Sequence, residues 1–351
     1  MYKINHVLLL NIVFLLIIGC KKDHQDLCPR IDLAATVETD LLTHFPLERI
    51  AQFIGPFNIG GSNPEYLLSS YRIFPIDEKS FIVTDGQKVM RALWDNGDIM
   101  CRYSNRGRSS LEYQLVLNCS YSDGKVYISD PISSKNIICD VDGKAEKQIT
   151  LNPREELYPL GNGLFAKLFP PDSEKHRLYD VIDESGKVIR ESSIHTTNYS
   201  SAILQSPSVL MMEENPCILP AFCDTLYHIS ATTDSPLLFF DKGKFRVPSS
   251  YYSDLQQLNQ HADEYIDIQS VKQVGAFIFV EYFKSGMHRI IYDLETGKAV
   301  FSIIIKDGTE PVLGIPFDYN GRTLFLWPSY SDNRHIVFTS VPEEEYWLFS
   351  R

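Results

Sequence analysis

Gly60-Gly61-Ser62-Asn63-Pro64-Glu65-Tyr66 and Gly107-Arg108-Ser109-Ser110-Leu111-Glu112-Tyr113 are two copies of one opening. The first copy closes on the strand-like run Phe81-Ile82-Val83-Thr84-Asp85, the second on Val126-Tyr127-Ile128-Ser129-Asp130. The openings are offset by 47 positions (60 to 107) and the closings by 45 (85 to 130). A period of roughly 40 to 50 residues is that of a propeller blade, a unit that cannot bury its apolar faces alone and must stack on its neighbours.

Working outward, the same plan of strand, polar turn and strand recurs. Units run from Phe81 to Ser104, Val126 to Leu151, Phe165 to Glu191, Val209 to Asp241, Phe277 to Ile303 and Thr323 to Ser350. Asp95-Asn96-Gly97-Asp98, Asp142-Gly143, Glu184-Ser185-Gly186 and Glu295-Thr296-Gly297 sit between apolar runs as hairpin signals, since the tight turn needs the positive φ that Gly adopts without steric cost. The pattern predicts an all-β chain: a six-bladed β-propeller of four-stranded antiparallel blades over residues 41–351. Glu48 to Ile54 precedes the first full unit, so it is expected to close the ring by pairing with Tyr346-Trp347-Leu348-Phe349. One stretch departs from the plan. Leu255, Leu258 and Ala262 share a face at helical spacing, predicting a short helical insertion near 250–262 capped by Ser250 or Ser253.

The N-terminus carries a different signal. Lys3 precedes the apolar run from Val7 to Ile18, which is too short to span a bilayer and fits a cleaved export signal. Gly19-Cys20 followed by Lys21-Lys22-Asp23 resembles a bacterial lipobox. That likeness implies a signal peptide over residues 1–19, a lipid on Cys20, and a polar tether over 20–40 leading to an outer-membrane protein. Six further cysteines, at 28, 101, 119, 139, 217 and 223, permit disulfides without requiring them. Cys217 and Cys223, flanking a short segment, are a candidate pair.

The whole expected mature chain resembles the six-bladed propeller lipoproteins of Bacteroides-type bacteria, relatives of NHL-repeat and TolB-like propellers. The resemblance rests on the lipobox, the two openings, Ala221-Phe222-Cys223-Asp224-Thr225-Leu226-Tyr227-His228-Ile229, Phe239-Phe240-Asp241-Lys242-Gly243-Lys244-Phe245, and Gly314-Ile315-Pro316-Phe317-Asp318-Tyr319-Asn320-Gly321. It implies a fold and an envelope location, and no settled activity.

Function is less legible. A net charge of −12 with no basic block in the mature region argues against nucleic acid. No spaced His pair, Cys-x-x-Cys, Gly-x-Ser-x-Gly or phosphate loop is present in the sequence, so no metal or other cofactor is expected. The expected role is a lipid-anchored binding module for a glycan, a peptide or another envelope protein. The alternatives are a lyase or hydrolase with its site at the channel mouth, for which His228 and His288 are the histidines to test, and a structural subunit of an outer-membrane complex. Candidate ligand contacts are Arg106, Arg108 and Tyr113, a basic and aromatic cluster in an acidic chain, and Asn320, Arg322 and Trp327 in the last long loop.

Overall fold

The computed structural model describes residues 28–38, 43–56, 59–60, 72–103, 106–170, 177–195, 208–212, 215–252, 254–305, 314–331, 335–340 and 346–350. The chain enters through β1 (Arg30–Asp32), α1 (Leu33–Glu38) and β2 (Gln52–Pro56). Blade 1 is β3 (Arg72–Pro75), β4 (Ser80–Thr84), β5 (Val89–Leu93) and β6 (Ile99–Arg102). Blade 2 is β7 (Asn118–Ser122), β8 (Lys125–Asp130), β9 (Lys135–Asp140) and β10 (Ala145–Thr150). Blade 3 is β11 (Glu156–Gly161), β12 (Leu164–Leu168), β13 (Tyr179–Asp183) and β14 (Val188–Glu191). Blade 4 is β15 (Ser208–Met212), β16 (Asn215–Leu219), β17 (Thr225–Ile229) and β18 (Asp234–Asp241), followed by α2 (Leu255–Gln260). Blade 5 is β19 (Asp267–Val274), β20 (Phe277–Phe283), β21 (Met287–Asp293) and β22 (Lys298–Ile305). Blade 6 holds β23 (Ile315–Tyr319), β24 (Arg322–Ser331), β25 (His335–Ser340) and β26 (Tyr346–Ser350).

The six-bladed architecture is as the repeat predicts, and the packing shows why. In β4 the side chains alternate between two joints: Ile82 enters the apolar cluster shared with blade 2, while Phe81 and Val83 enter the cluster shared with blade 6. In β25, Ile336 and Phe338 face blade 5 and Val337 faces blade 1. A strand buried on both faces reads as a continuous apolar run, although its side chains still point alternately to opposite sides. Among the described residues, six such clusters occupy the six joints of the ring.

The inner wall is set by packing between sheets. β7 packs on β3 and β11, β19 on β15 and β24, and β24 on β3. In the sixth blade, therefore, the innermost strand is β24 and not the first strand of its sheet. β24 bends: its first half pairs with β23, from Tyr319↔Arg322 to Ile315↔Leu326, and its second half pairs with β25, from Leu326↔Ser340 to Ser331↔Ile336. Outward from β24 come β25, β26 and finally β2, whose register runs from Gln52↔Ser350 to Pro56↔Trp347. The N-terminal strand closes the ring as expected, supplying the outermost strand of a blade built by the C-terminus. The β23 hairpin is an addition to that blade, which explains why its sequence looks irregular.

Three expectations need correction. Residues 30–38 fall in the stretch anticipated as tether, yet β1 adds in parallel to β18 and α1 packs beside it. Ile31 and Leu33 are completely buried between blades 4 and 5, and the Thr36 and Tyr282 hydroxyls meet at 2.8 Å. The helical insertion forms, but Asp254 caps it, accepting from Gln257 N–H at 3.0 Å, in place of Ser250 or Ser253. None of the six described cysteines forms a disulfide, so the candidate Cys217–Cys223 bridge is absent.

Acidic residues at strand ends serve the turns. Asp85 accepts from the N–H groups of Gln87 and Lys88, both at 2.8 Å. Asp130, Asp140, Asp183 and Asp293 bind the N–H groups of their own following turns in the same way. Much of the negative charge is thus committed to local architecture.

Candidate functional site

In a blade, the turns that join first to second and third to fourth strands lie on one face of the ring. Trp94, just after β5, shows this directly: its N–H donates to Lys79 O at 2.9 Å, bringing the two turns of blade 1 together. The inner strands β3, β7 and β11 open on that face into a cavity of about 780 Å3. Blade 4 contributes Pro216, His228 and Ser230, and blade 6 contributes His335.

The wall is aromatic and hydrogen-bonding. β3 brings Phe74, β7 brings Asn118, Ser120, Tyr121 and Ser122, and β11 brings Tyr158. Tyr158 donates to Glu156, and burial first, then the Glu156 charge, pushes its phenol far above the usual range, so the hydroxyl remains a donor. His335 stacks on Trp94 with ring centroids 4.6 Å apart and planes 14° from parallel, which fixes the imidazole at the rim. The charged lining residues are Asp77 and Glu78; neither lysine nor arginine is present among the described lining residues. Asp77 is occupied by its own turn. Its Oδ1 accepts from Lys79 N–H, Ser80 N–H and Ser80 Oγ, and Oδ2 pairs with Arg91 at 3.2 Å. Burial opposes ionisation of Asp77, but these hydrogen bonds and Arg91 outweigh it and lower its pKa, making it a poor proton acceptor.

The residues singled out in the sequence lie elsewhere. Arg106 donates to Gln114 O at 3.2 Å and to Gln87 Oε1 at 3.1 Å, pinning the connection between blades 1 and 2 to the turn after β4, on the opposite face. Arg108 is exposed on the same connection. Tyr113 is completely buried in the joint of blades 1 and 2, so it is unavailable to a ligand and serves as the joint itself. Its counterpart Tyr66 lies outside the described residues, as does Cys20. Asn320 and Arg322 are exposed at the tip of the β23–β24 hairpin. Trp327 is buried in the joint of blades 5 and 6, packed against Phe279 at 5.4 Å with the Arg289 guanidinium 5.2 Å over its ring. None of the six lines the mouth cavity. Of the two histidines named for an enzyme, His228 does line it, whereas His288 is buried in blade 5, stacked on Tyr282 at 4.6 Å. Among the described residues, no group of three or more His, Cys, Asp or Glu side chains is placed to hold a metal ion. No described helix is long and apolar enough to cross a membrane.

No protein-family model matches the chain, and no curated protein matches it. Solved structures do. A protein from Bacteroides fragilis NCTC 9343, described as a candidate exported protein, superposes with a TM-score of 0.64 at 14% identity, over 93% of this chain and 99% of that one. A DUF4221 family member from Bacteroides vulgatus gives a TM-score of 0.48 at 10% identity, over 86% of this chain and 97% of that one. What the first likeness shows is a shared fold along nearly the whole length of both chains.

Proposed function

We propose that this is a lipid-anchored envelope protein that binds a neutral, hydroxyl-rich ligand, a glycan segment, in the mouth of the propeller. The observation that carries the reading is the lining of the cavity: aromatic rings (Phe74, Tyr121, Tyr158) beside hydroxyl and amide groups (Ser120, Ser122, Asn118), with carboxylates as the charged groups. Aromatic faces with a few placed polar groups are the usual composition of a small-molecule site, and the volume falls in the usual range. An anionic ligand would meet Asp77 and Glu78 without a lining cation, which disfavours it.

Calorimetric titration with neutral, anionic and cationic oligosaccharides tests this. Neutral chains are expected to bind, and Ser120→Trp, which puts an indole into the mouth from an inner strand, is expected to weaken them at least about thirtyfold with the fold unchanged by circular dichroism. Preference for a sulfated chain, or unchanged affinity in the variant, would overturn the reading; release of reducing ends would favour the enzyme alternative. The anchor is tested separately: Cys20→Ala is expected to move the protein from the membrane pellet to the soluble fraction.

A further inference from the structure

The inserted helix poses a problem that the propeller alone does not answer. α2 has an apolar stripe but no buried residue. Leu255, Leu258 and Ala262 instead line a second cavity of about 320 Å3, on the face opposite the mouth, at the joint of blades 4 and 5. Phe222, Val247 and Ile266 complete an apolar wall. The floor is charged. Asp224, only 3% exposed, faces Lys242 Nζ at 3.3 Å and Arg246 Nε at 2.9 Å, so one buried carboxylate serves two cations. Oδ1 is the oxygen that faces Lys242, and beyond that ion pair it accepts no hydrogen bond among the described residues.

The surrounding backbone is held in an unusual shape. Phe222 adopts φ +58°, a left-handed conformation that a bulky side chain rarely takes, and its ring stacks on Tyr252 at 4.4 Å. Such outliers persist where the surroundings over-determine them, and they gather at ligand clamps. The turn carrying Phe222 also carries Asp224, so the same bend places an aromatic wall and a charged floor around one space.

We propose that this cavity binds a small amphiphilic monocarboxylate, its apolar body against the α2 stripe and its carboxylate on Arg246 and Lys242. The guanidinium fork matches a carboxylate in bidentate geometry. The side chain of Arg246 is 56% exposed, so the fork sits at the rim where a ligand would enter. Asp267, the other carboxyl in the lining, accepts from Gln269 Nε2 at 2.6 Å, and desolvation pushes its pKa up against the attraction of Lys242. The proposal is independent of the mouth cavity, which shares no residue with this one.

Octanoate is the probe, with octan-1-ol and octylammonium as matched controls, titrated calorimetrically into the purified protein. Octanoate is expected to saturate a single site, binding at least about tenfold tighter than either control. Arg246→Gln is expected to remove most of that margin. Ala262→Phe, which fills the cavity from a position outside the core, is expected to abolish saturable binding. Leu255→Glu, at a partly exposed rim position, provides a second block should Ala262→Phe fold poorly. Absence of saturable octanoate binding, equal or tighter octylammonium binding, or wild-type affinity in a folded blocking variant would overturn the proposal.

Discussion

Asp234→Ala is expected to destabilise the protein by about 3–5 kcal/mol, because it removes the centre of the clamp that joins blade 3 to blade 4. The Asp234 side chain is 1% exposed and pairs with Arg190 at 3.0 Å. It also accepts from the Tyr179 hydroxyl, from Ser192 Oγ at 3.0 Å, and from Ser193 N–H at 2.9 Å. Arg190 reaches on to Ser230 O at 2.8 Å, so outer strands of one blade grip the last turn of the next. Blades 1 and 2 repeat the device: Arg91 and Tyr103 both donate to Val141 O, at 3.3 and 3.0 Å. With Asp234 gone, a largely buried guanidinium loses its carboxylate, and that uncompensated charge is the main cost.

The same clamp gives a pH signature. Burial alone would raise the Asp234 pKa, but the hydrogen bonds from Arg190, Tyr179 and Ser193 and the charge of Arg190 prevail and hold it at about 2. A pKa lower in the folded than in the unfolded chain contributes stability that is present above about pH 4 and is lost as pH falls toward 2. The shift corresponds to about 2 kcal/mol. Urea unfolding of wild type and Asp234→Asn at intervals between pH 5 and 2 checks this. The two stabilities are expected to differ most at pH 5 and to converge as acid protonates the wild-type carboxyl. A constant gap across the range would show that the carboxylate is not the seat of the effect.

How much of this was legible in the sequence follows from how locally each feature is encoded. Blade hairpins declare themselves through turns such as Asp142-Gly143 and Glu295-Thr296-Gly297, where a few adjacent residues decide the geometry. The closing role of β2 could be read because a strand-like segment was left over before the first unit. β1 could not: Arg30-Ile31-Asp32 is three residues long, and its partner β18 is some two hundred positions away. Choosing site residues by chemical type misplaced them for a related reason. Trp327 and Tyr113 are large because the joints between blades need large side chains, and Arg106 is tied to the turn below it. The mouth draws its lining from five blades, and Ser120 or Asn118 looks ordinary until inner strands from separate repeats are brought together. His228 was the one signal within reach.

Truncation should separate the two N-terminal strands. A chain beginning at residue 43 lacks β1 and α1, and so loses the buried side chains of Ile31 and Leu33 and the Thr36–Tyr282 contact. Each fully buried aliphatic side chain contributes about 1.5–3 kcal/mol, so the chain is expected to melt about 10 °C lower while remaining a folded β protein. A chain beginning at residue 57 also lacks β2. The edge of β26 is then left unpaired, and Phe45 and Leu47, which fill the joint of blades 5 and 6, are gone with it. An open ring with a bare strand edge is an aggregation template. Thermal melts followed by circular dichroism, with limited proteolysis, are expected to show a cooperative transition for the first truncation and none for the second. A cooperative melt of the second chain near the wild-type temperature would mean that β2 decorates the ring without closing it.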